Sequence, residues 1–504
     1  MTRAAIRSFR LAYAGWLLGV FVFFTPAATW NPVSRLDLTR AIVERGTLSI
    51  DAYASSTGDR ALVNGQWFTD KAPMPSLLGV PAYGALRTIQ KLRGTRPQYQ
   101  AFSGADIPAL RLTPNPAFQQ ALHVCSLATA GAAGVAIGLL MFELLRRRTL
   151  SGAALAASAI AVLGTPVLPY STSYYGHVPA AAALLGALVA LDMRGQRSQN
   201  GMPPRWRMRV AGACLALAPG CEYITAFPAA LIGIVFLART PRGLRLSTVL
   251  DFALGALGPV LVTSAYHTAV FGAPWRTGYS FIARPEFAAG HAKGMLGITL
   301  PHVDGLVGLS IGTRRGIFFL SPVLLLGLIA GGLRAFRTRD HTLLLGLAVF
   351  TLLFLMNAGY YMWWGGAAAG PRHLVPAVTL LAAGIALALR RPERWIRAVA
   401  FVLALVSIGN CVALTVVGIE APEQGNILTE YVWSGLAHGR VATANGATNI
   451  GLKLGFSAAL SPLPLLLWLG FGYLYLARQV APRGRSQGRR VLLHRAGIPS
   501  IVRR

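Results

Sequence analysis

Ala117-Phe-Gln-Gln-Ala-Leu-His-Val-Cys-Ser-Leu-Ala-Thr-Ala-Gly-Ala-Ala-Gly-Val-Ala-Ile-Gly-Leu-Leu-Met-Phe142 holds no charged residue, and Arg146, Arg147 and Arg148 stand one turn beyond it. A run of this kind is long enough to cross a hydrocarbon core, which takes about 20 apolar residues at a rise of about 1.5 Å each. Residues 11–29 and 457–476 repeat the pattern. Within lipid each backbone polar group is satisfied inside its own segment, so an all-α, polytopic membrane fold is expected. The whole chain agrees: of 504 residues 54% are hydrophobic and only 13% charged.

The formal charge of +30 raises the question of nucleic acid, and the placement of the basic residues answers against it. Most of the 47 fall in clusters around Arg3/Arg7/Arg10, Arg146/Arg148, Arg194/Arg209, Arg239/Arg245, Arg334/Arg339, Arg390/Arg397 and the tail from Arg478, each flanking an apolar run. That is the positive-inside pattern, and it also attracts anionic membrane lipid. Setting every cluster on the cytoplasmic side predicts about twelve crossings. The spans are 11–29, 118–143, 151–169, 177–192, 208–219, 223–238, 247–271, 317–334, 342–357, 373–390, 396–417 and 457–477. Both termini then lie in the cytoplasm. The reading gives one membrane domain, 1–478, with a long first outer loop at 30–117, and a basic cytoplasmic tail at 479–504.

Two stretches strain this scheme. Residues 209–237 have basic clusters at both ends and are broken by Pro219 and Gly220, so they turn back near the outer face on two short arms. The apolar stretch 72–89 carries Pro73, Pro75 and Pro81 and is placed as an interfacial or re-entrant helix, because counting it as a crossing inverts every later loop. The N-terminus reads as a retained first helix, since residues 25–30 give a weak cleavage cue. Cys125, Cys214, Cys221 and Cys411 are scattered through apolar sequence and form neither a disulfide framework nor a zinc site.

The outer loops collect most of the acidic residues together with Gly, Trp, Tyr and His, and long ordered loops are where function concentrates. The first opens on a short amphipathic helix near 31–46, lying on the membrane and stopped by Gly46. On it Asp37 either pairs with Arg40 or serves as a catalytic carboxylate. Asn64-Gly65 marks a turn, and Asp70-Lys71-Ala72-Pro73 places an acid and a base where the chain returns to the bilayer. Lys71 either snorkels to lipid phosphate or binds a phosphorylated ligand. Glu222, an ionisable residue in an apolar hairpin, either braces a neighbouring loop or touches substrate. Tyr175, His177, Trp363 and Trp364 fit an interfacial aromatic belt first and a sugar-stacking surface second.

In this order, an apolar first helix, an outer loop with an Arg35-bearing helix and an acid-Lys-x-Pro segment, the chain resembles the C-type membrane glycosyltransferases. Within them it is most similar to aminoarabinose transferases and protein mannosyltransferase-like bacterial proteins. Tyr174-Tyr175-Gly176-His177, Glu222-Tyr223, Arg315-Gly316 through Ser321-Pro322, Trp363-Trp364-Gly365-Gly366 and Gly370-Pro371-Arg372-His373 continue the likeness through most of the chain.

The resemblance implies transfer of a sugar from a polyprenyl-phosphate donor to a glycan, lipid or protein acceptor at the outer face of a bacterial plasma membrane, by inverting displacement. It carries phosphate contact to Lys71, a supporting carboxylate to Asp70, and the first-loop arginine to Arg35. Tyr175, His177, Glu222, Tyr223, Arg372 and His373 are further substrate-binding candidates. Many relatives hold an acid two positions before that arginine, where this chain has Val33. Asp37 is the nearest substitute as base, with Asp51 and Asp59 behind it. No cofactor is expected, and no set of acids has the spacing of a known metal site. A transporter or flippase of a lipid-linked or anionic substrate, and a non-catalytic polyprenyl-phosphate-binding relative, are the alternatives.

Overall fold

The computed structural model describes residues 3–95, 115–192, 194, 201–440 and 446–481 and is predominantly helical. Helix α1 (Arg3–Val22) leads to strand β1 (Phe24–Thr25), helix α2 (Trp30–Arg40), the hairpin strands β2 (Arg60–Val63) and β3 (Gln66–Thr69), and helix α3 (Met74–Leu92). There follow α4 (Pro116–Ser126), α5 (Ala132–Arg146), α6 (Ser151–Leu163), α7 (Val167–Ser171), α8 (His177–Leu191), α9 (Arg205–Cys221), α10 (Ala226–Arg239) and α11 (Arg245–Phe271). The second half adds α12 (Pro285–His291), α13 (Val303–Ser310), α14 (Ile317–Leu320), α15 (Val323–Thr338), α16 (His341–Ala358), α17 (Val375–Leu381), α18 (Ala383–Ala388) and α19 (Arg394–Val417). The last elements are α20 (Ser434–Ala437), β4 (Thr448–Asn449), α21 (Ile450–Lys453) and α22 (Leu463–Val480). Residues 96–114 of the expected first loop and 482–504 of the expected basic tail lie outside the described residues.

Among the described residues five stretches are long and apolar enough to cross a membrane: Ala4–Val22, Pro116–Arg146, Arg242–Phe271, His341–Ala358 and Arg394–Val417. Shorter apolar helices lie at Ser151–Leu163, His177–Leu191, Tyr223–Arg239 and Arg372–Ala388. The expected spans correspond to helices, with several limits moved. The first helix stops at Val22, because Phe24 and Thr25 pair with Asn449 and Thr448 in a short two-stranded sheet. Span 151–169 breaks between α6 and α7 at Pro166, and span 317–334 breaks at Ser321-Pro322, where proline lacks the N–H that would continue the helix. The 373–390 span is a 3-10 turn at Arg372–Leu374 followed by two short helices. In the 209–237 hairpin, α9 runs on through Pro219 to Cys221, and the turn falls on the extended residue Glu222.

Burial sorts the helices. Twelve apolar side chains of α8 sit among protein atoms on every face, and its neighbours α17 and α18 are buried likewise. A helix apolar all round belongs at such a centre. Helix α11 is the opposite case: Leu246, Leu250, Leu254, Leu257 and Leu261 along it are exposed, which suits a face turned to lipid. It still packs closely on α9, because a Cβ on Gly212 would lie 2.1 Å from the carbonyl of Phe252 and one on Gly255 1.8 Å from that of Arg209.

Polar contacts divide the bundle into two ends. At one, the start of α1 meets the end of α5 (Arg10–Glu143, 2.7 Å), and Arg148 joins Asp192, after α8, to Asp340, before α16, at 2.6 and 2.9 Å. The start of α9 joins them through Arg207, which donates to the carbonyls of Val189 and Asp192. At the other end lie the start of α8, the end of α9 and the end of α16, together with α2 and the hairpin. Helix α3 keeps both ends here: Met74 packs on Ala180 and Cys221, and the Gln90 amide reaches Gln120 beside the start of α4.

Candidate functional site

The expected amphipathic helix is α2, continued by a π-turn over Ala41–Arg45 and closed by Gly46 in the left-handed region at φ 64°. It does not lie on a surface: residues 31–41 are buried on all sides, charged ones included. The first loop folds over it. The Ser34 hydroxyl donates to the Asp59 carbonyl at 2.5 Å and bonds the Thr69 hydroxyl at 2.7 Å, tying the helix to the hairpin. The hairpin turns at Asn64 and Gly65, both with positive φ, which matches the twist of paired strands. Its exit from β3 delivers Asp70 and Lys71.

Arg35 is 1% exposed, and its guanidinium is fully engaged. It donates to Asn31 Oδ1 (3.1 Å), to the Ala72 carbonyl (2.9 Å) and to Glu222 Oε1 (2.8 Å). Arg35 thus braces α2 against both the Asp70 segment and the α9–α10 turn. Burial pushes the Glu222 carboxyl above its ordinary range, against the pull of Arg35, Arg372 and Lys71, whose charges all act on it.

Lys71 does not snorkel. Its ammonium lies 3.0 Å from Asp59 and 3.1 Å from Asp70. Burial works against that charge, and the two carboxylates more than reverse it, so its pKa lies above the usual lysine range. Asp70 bonds Lys71 through Oδ2, while Oδ1 is buried with no hydrogen-bond partner. Burial lifts its carboxyl to about 6, with Lys71 opposing and Asp59 reinforcing the rise. A carboxylate poised there, with one free oxygen, has the character of a general base.

A second group comes from α8, α10 and the approach to α17. The Tyr175 ring stacks on His177 at 5.6 Å, and His177 meets His373 edge-on at 5.6 Å. His177 Nδ1 lies 3.4 Å from Glu222 Oε1. The Tyr223 hydroxyl bonds His267 Nε2 at 3.1 Å and approaches the Lys71 carbonyl at 3.5 Å. His177 Nε2, His373 Nε2 and Arg372 Nε are buried without hydrogen-bond partners. Among the described residues no carboxylate lies within ion-pair distance of Arg372, although Asp59 is near enough for its charge to act on it.

The structure therefore brings Arg35, Asp70, Lys71, Tyr175, His177, Glu222, Tyr223, Arg372 and His373 to one end of the bundle. It sets Asp37 apart. At about 100° per residue, Asp37 leaves α2 some 200° around from Arg35. There it is fully buried, 3.7 Å from Arg40, with both oxygens lacking a hydrogen-bond partner, and burial lifts its carboxyl well above the ordinary range. Val33 shares that side of the helix and packs in an apolar cluster with Leu36, Tyr83, Phe118 and Tyr174. Asp59, which the sequence ranks behind Asp37 as a substitute base, meets here as the second partner of Lys71. Residues the sequence did not single out, Tyr279, His291, Tyr360 and Tyr361, join as a continuous set of rings. These come from separate loops, and no spacing in the sequence links them.

Arg315, from the Arg315-Gly316 motif, is a brace. Its guanidinium donates to the carbonyls of Arg314, Trp364, Gly366, Ala421 and Pro422, which ties the arginine to the Trp-Trp-Gly-Gly run. Among the described residues no group of three or more His, Cys, Asp or Glu side chains stands close enough to hold a metal ion.

No protein-family pattern matches the chain, and no curated protein matches it. Solved structures do. The chain is similar to ArnT from Cupriavidus metallidurans in the apo state, with 16% identity and a TM-score of 0.48 over 95% of this chain and 77% of that one. It is similar to the same protein bound to undecaprenyl phosphate at 15% identity and a TM-score of 0.47, covering 95% and 78%. The oligosaccharyltransferase of Archaeoglobus fulgidus, tethered with an acceptor peptide, matches at 12% identity and a TM-score of 0.46 over 87% of this chain. This chain spans 57% of that protein's length.

Proposed function

We propose that this protein transfers a sugar from a polyprenyl-phosphate carrier to a glycan, lipid or protein acceptor at the extracytoplasmic face of the bacterial plasma membrane, by a single inverting displacement. The observation that carries the reading is the pairing, at one end of the bundle, of a carboxylate with a free oxygen and a cation with no counter-ion. Asp70 Oδ1 has no partner, and the Arg372 guanidinium has no carboxylate within ion-pair distance among the described residues. A site that activates a hydroxyl and receives a phosphate needs those two things.

In the reaction an acceptor oxygen attacks the anomeric carbon as the bond from that carbon to the phosphate oxygen breaks. Asp70 takes the acceptor's proton. The electron pair of the breaking bond leaves on the polyprenyl phosphate, whose added charge Arg372 receives with Lys71 beside it. Lys71, held between Asp59 and Asp70, also keeps Asp70 ionised near neutral pH by opposing the effect of burial. Arg35 and Glu222 hold the Asp70 segment in register with the α9–α10 turn. Tyr175, His177, Tyr223 and His373 supply ring faces and hydrogen-bonding atoms to the substrate. The basic end then faces the cytoplasm, in keeping with the positive-inside rule.

The test is transfer from a panel of radiolabelled polyprenyl-phosphate sugars in membranes containing wild-type protein, Asp70→Asn or Lys71→Ala. Transfer by the wild type that vanishes in both variants, while each stays folded and inserted, is the expected result. Wild-type protein that binds the lipid yet transfers nothing across a broad donor and acceptor panel overturns the reading.

A further inference from the structure

The rings beside Lys71 form a built surface. Tyr360 and Tyr361 follow α16, and their hydroxyls reach opposite nitrogens of the same imidazole, Tyr360 to His291 Nε2 and Tyr361 to His291 Nδ1, each at 3.2 Å. Tyr279 lies against the other side of the set, its ring 4.5 Å from that of His291. The loop carrying His291 is shaped around the two tyrosines. A Cβ on Gly290 would lie 2.1 Å from the Tyr361 ring, and one on Gly297, at φ 85°, would lie 2.7 Å from Tyr361 and 3.0 Å from Tyr360. Ring positions held in this way are fixed before any ligand arrives.

None of these rings is stacked flat on another. Interplanar angles run from 50° for Tyr279–His291 to 77° for His291–Tyr360, and Tyr360 meets His373 at 70°. Tilted and edge-on contacts leave ring faces available, and all four side chains are only part-buried. The set carries no carboxylate. Its neighbouring ammonium, Lys71, is already matched by Asp59 and Asp70. Burial, with the charge of Lys71, holds the His291 imidazole below its ordinary pKa, so it stays neutral.

We propose that Tyr279, His291, Tyr360 and Tyr361 form the wall that binds the sugar, and that this sugar is an uncharged pyranose rather than an amino or acidic one. The inference rests on the transferase reading and goes beyond it by naming the class of sugar and the residues that select it. Aromatic faces take the apolar C–H face of a pyranose ring, and the phenols and imidazole bond its hydroxyls. An ammonium or a uronate carboxylate finds no opposite charge among these four side chains, and Arg372, whose charge reaches Tyr360 and Tyr361, is committed to the phosphate in the transferase reading.

The experiment compares binding of polyprenyl phosphate alone with binding of polyprenyl-phosphate-linked neutral hexoses, aminopentoses and hexuronic acids. It uses wild-type protein, Tyr279→Leu, Tyr361→Leu and Tyr361→Phe. The expected result is that wild type prefers a neutral hexose over the bare lipid, and that each leucine variant loses about tenfold of that preference while binding the bare lipid as before. Tyr361→Phe, which keeps the ring face, retains most of the preference. Undiminished preference in both leucine variants overturns the inference. So does equal weakening for bare and sugar-bearing lipid, which would assign the wall to the isoprenoid, and so does a wild-type preference for an amino or acidic sugar. Wild-type protein that binds no lipid phosphate at all fails the transferase reading itself, a result separate from the other three.

Discussion

At the basic end of the bundle, Glu143 meets Arg10, Arg146 and Arg147 at 2.7 to 2.9 Å, and Asp192 and Asp340 share Arg148. At the opposite end, among the described residues, Arg372 meets no carboxylate, Asp70 leaves one oxygen unbonded, and His177 and His373 each leave a ring nitrogen without a partner. The same side-chain types are closed on themselves at one end and left open at the other. Buried polar groups are ordinarily satisfied, so a concentration of open ones at one place marks where the chain gives up stability to hold a ligand. The basic end fastens α1, α5, α8, α9 and α16 together, and the open end depends on that fastening for its geometry.

The comparison breaks if substitutions at the two ends have interchangeable effects. Asp70→Asn is expected to lower the transfer rate on the order of a thousandfold, the scale of a lost general base, with thermal unfolding no earlier than in wild type. Stability is preserved because the ionised carboxyl is the costly form: its pKa in the folded chain, about 6, lies above the ordinary aspartate value of 3.8. The folded state therefore binds that proton more tightly than the unfolded one. The cost sets in as pH rises through the interval between those values, and an amide escapes it. Arg148→Ala is expected to do the reverse. Leaving Asp192 and Asp340 buried without their shared cation costs about 3–5 kcal/mol, read as a lower unfolding temperature in detergent. The rate per folded molecule should stay near that of wild type.

A pH profile sharpens the contrast from the same residue. Transfer requires Asp70 ionised, so the rate should be level above about 6 and fall about tenfold for each unit below it. A profile flat down to the ordinary carboxylate range would remove Asp70 as the base. A smaller effect belongs to Arg315, which closes five carbonyls near the open end without belonging to the site. Arg315→Met should lower stability by about 1–3 kcal/mol, the range for buried acceptors left unpaired. It should leave the neutral-sugar preference intact, which binding at a temperature well below unfolding would check.

The basic end was the more legible of the two in the sequence. Charge-free runs flanked by arginine announce helices and their polarity one segment at a time, without knowledge of neighbours. Asn64-Gly65 announced the turn, which the structure shows to join two strands, and with it the position of Asp70-Lys71, for the same local reason. The open end is assembled across loops. Asp59 reaches Lys71 only because the hairpin folds back on α2, and His291 meets Tyr360 and Tyr361 across sequence that carries no common period. Helix α2 was misjudged on the same account. Its pattern of charges among apolar residues reads as one wet face and one lipid face, whereas the first loop covers the wet face, giving Arg35 the Ala72 carbonyl and Arg40 the Tyr53 ring. The helix breaks at Pro166 and Pro322 did have a local signal, which the surrounding apolar runs outweighed.

Asp37 supplies the smallest expected effect and the strictest form of the comparison, because the sequence ranks it beside Asp70 as a catalytic acid. Both are buried carboxylates with a cation nearby, and they differ in what surrounds them. Asp70 has Lys71 at 3.1 Å and shares its end of the bundle with Arg372 and the rings. Asp37 faces Arg40 at 3.7 Å on the far side of α2, in the company of Glu44 and an apolar cluster. Burial lifts its carboxyl well above the ordinary range, so the ionised form is the costly one there, and an amide of nearly the same shape escapes that cost. Asp37→Asn should therefore change stability by less than about 1 kcal/mol and transfer by less than about threefold. If Asp37→Asn instead abolishes transfer while Asp70→Asn leaves it standing, the base lies on the far side of α2, and the division between closed and open charges does not locate the chemistry.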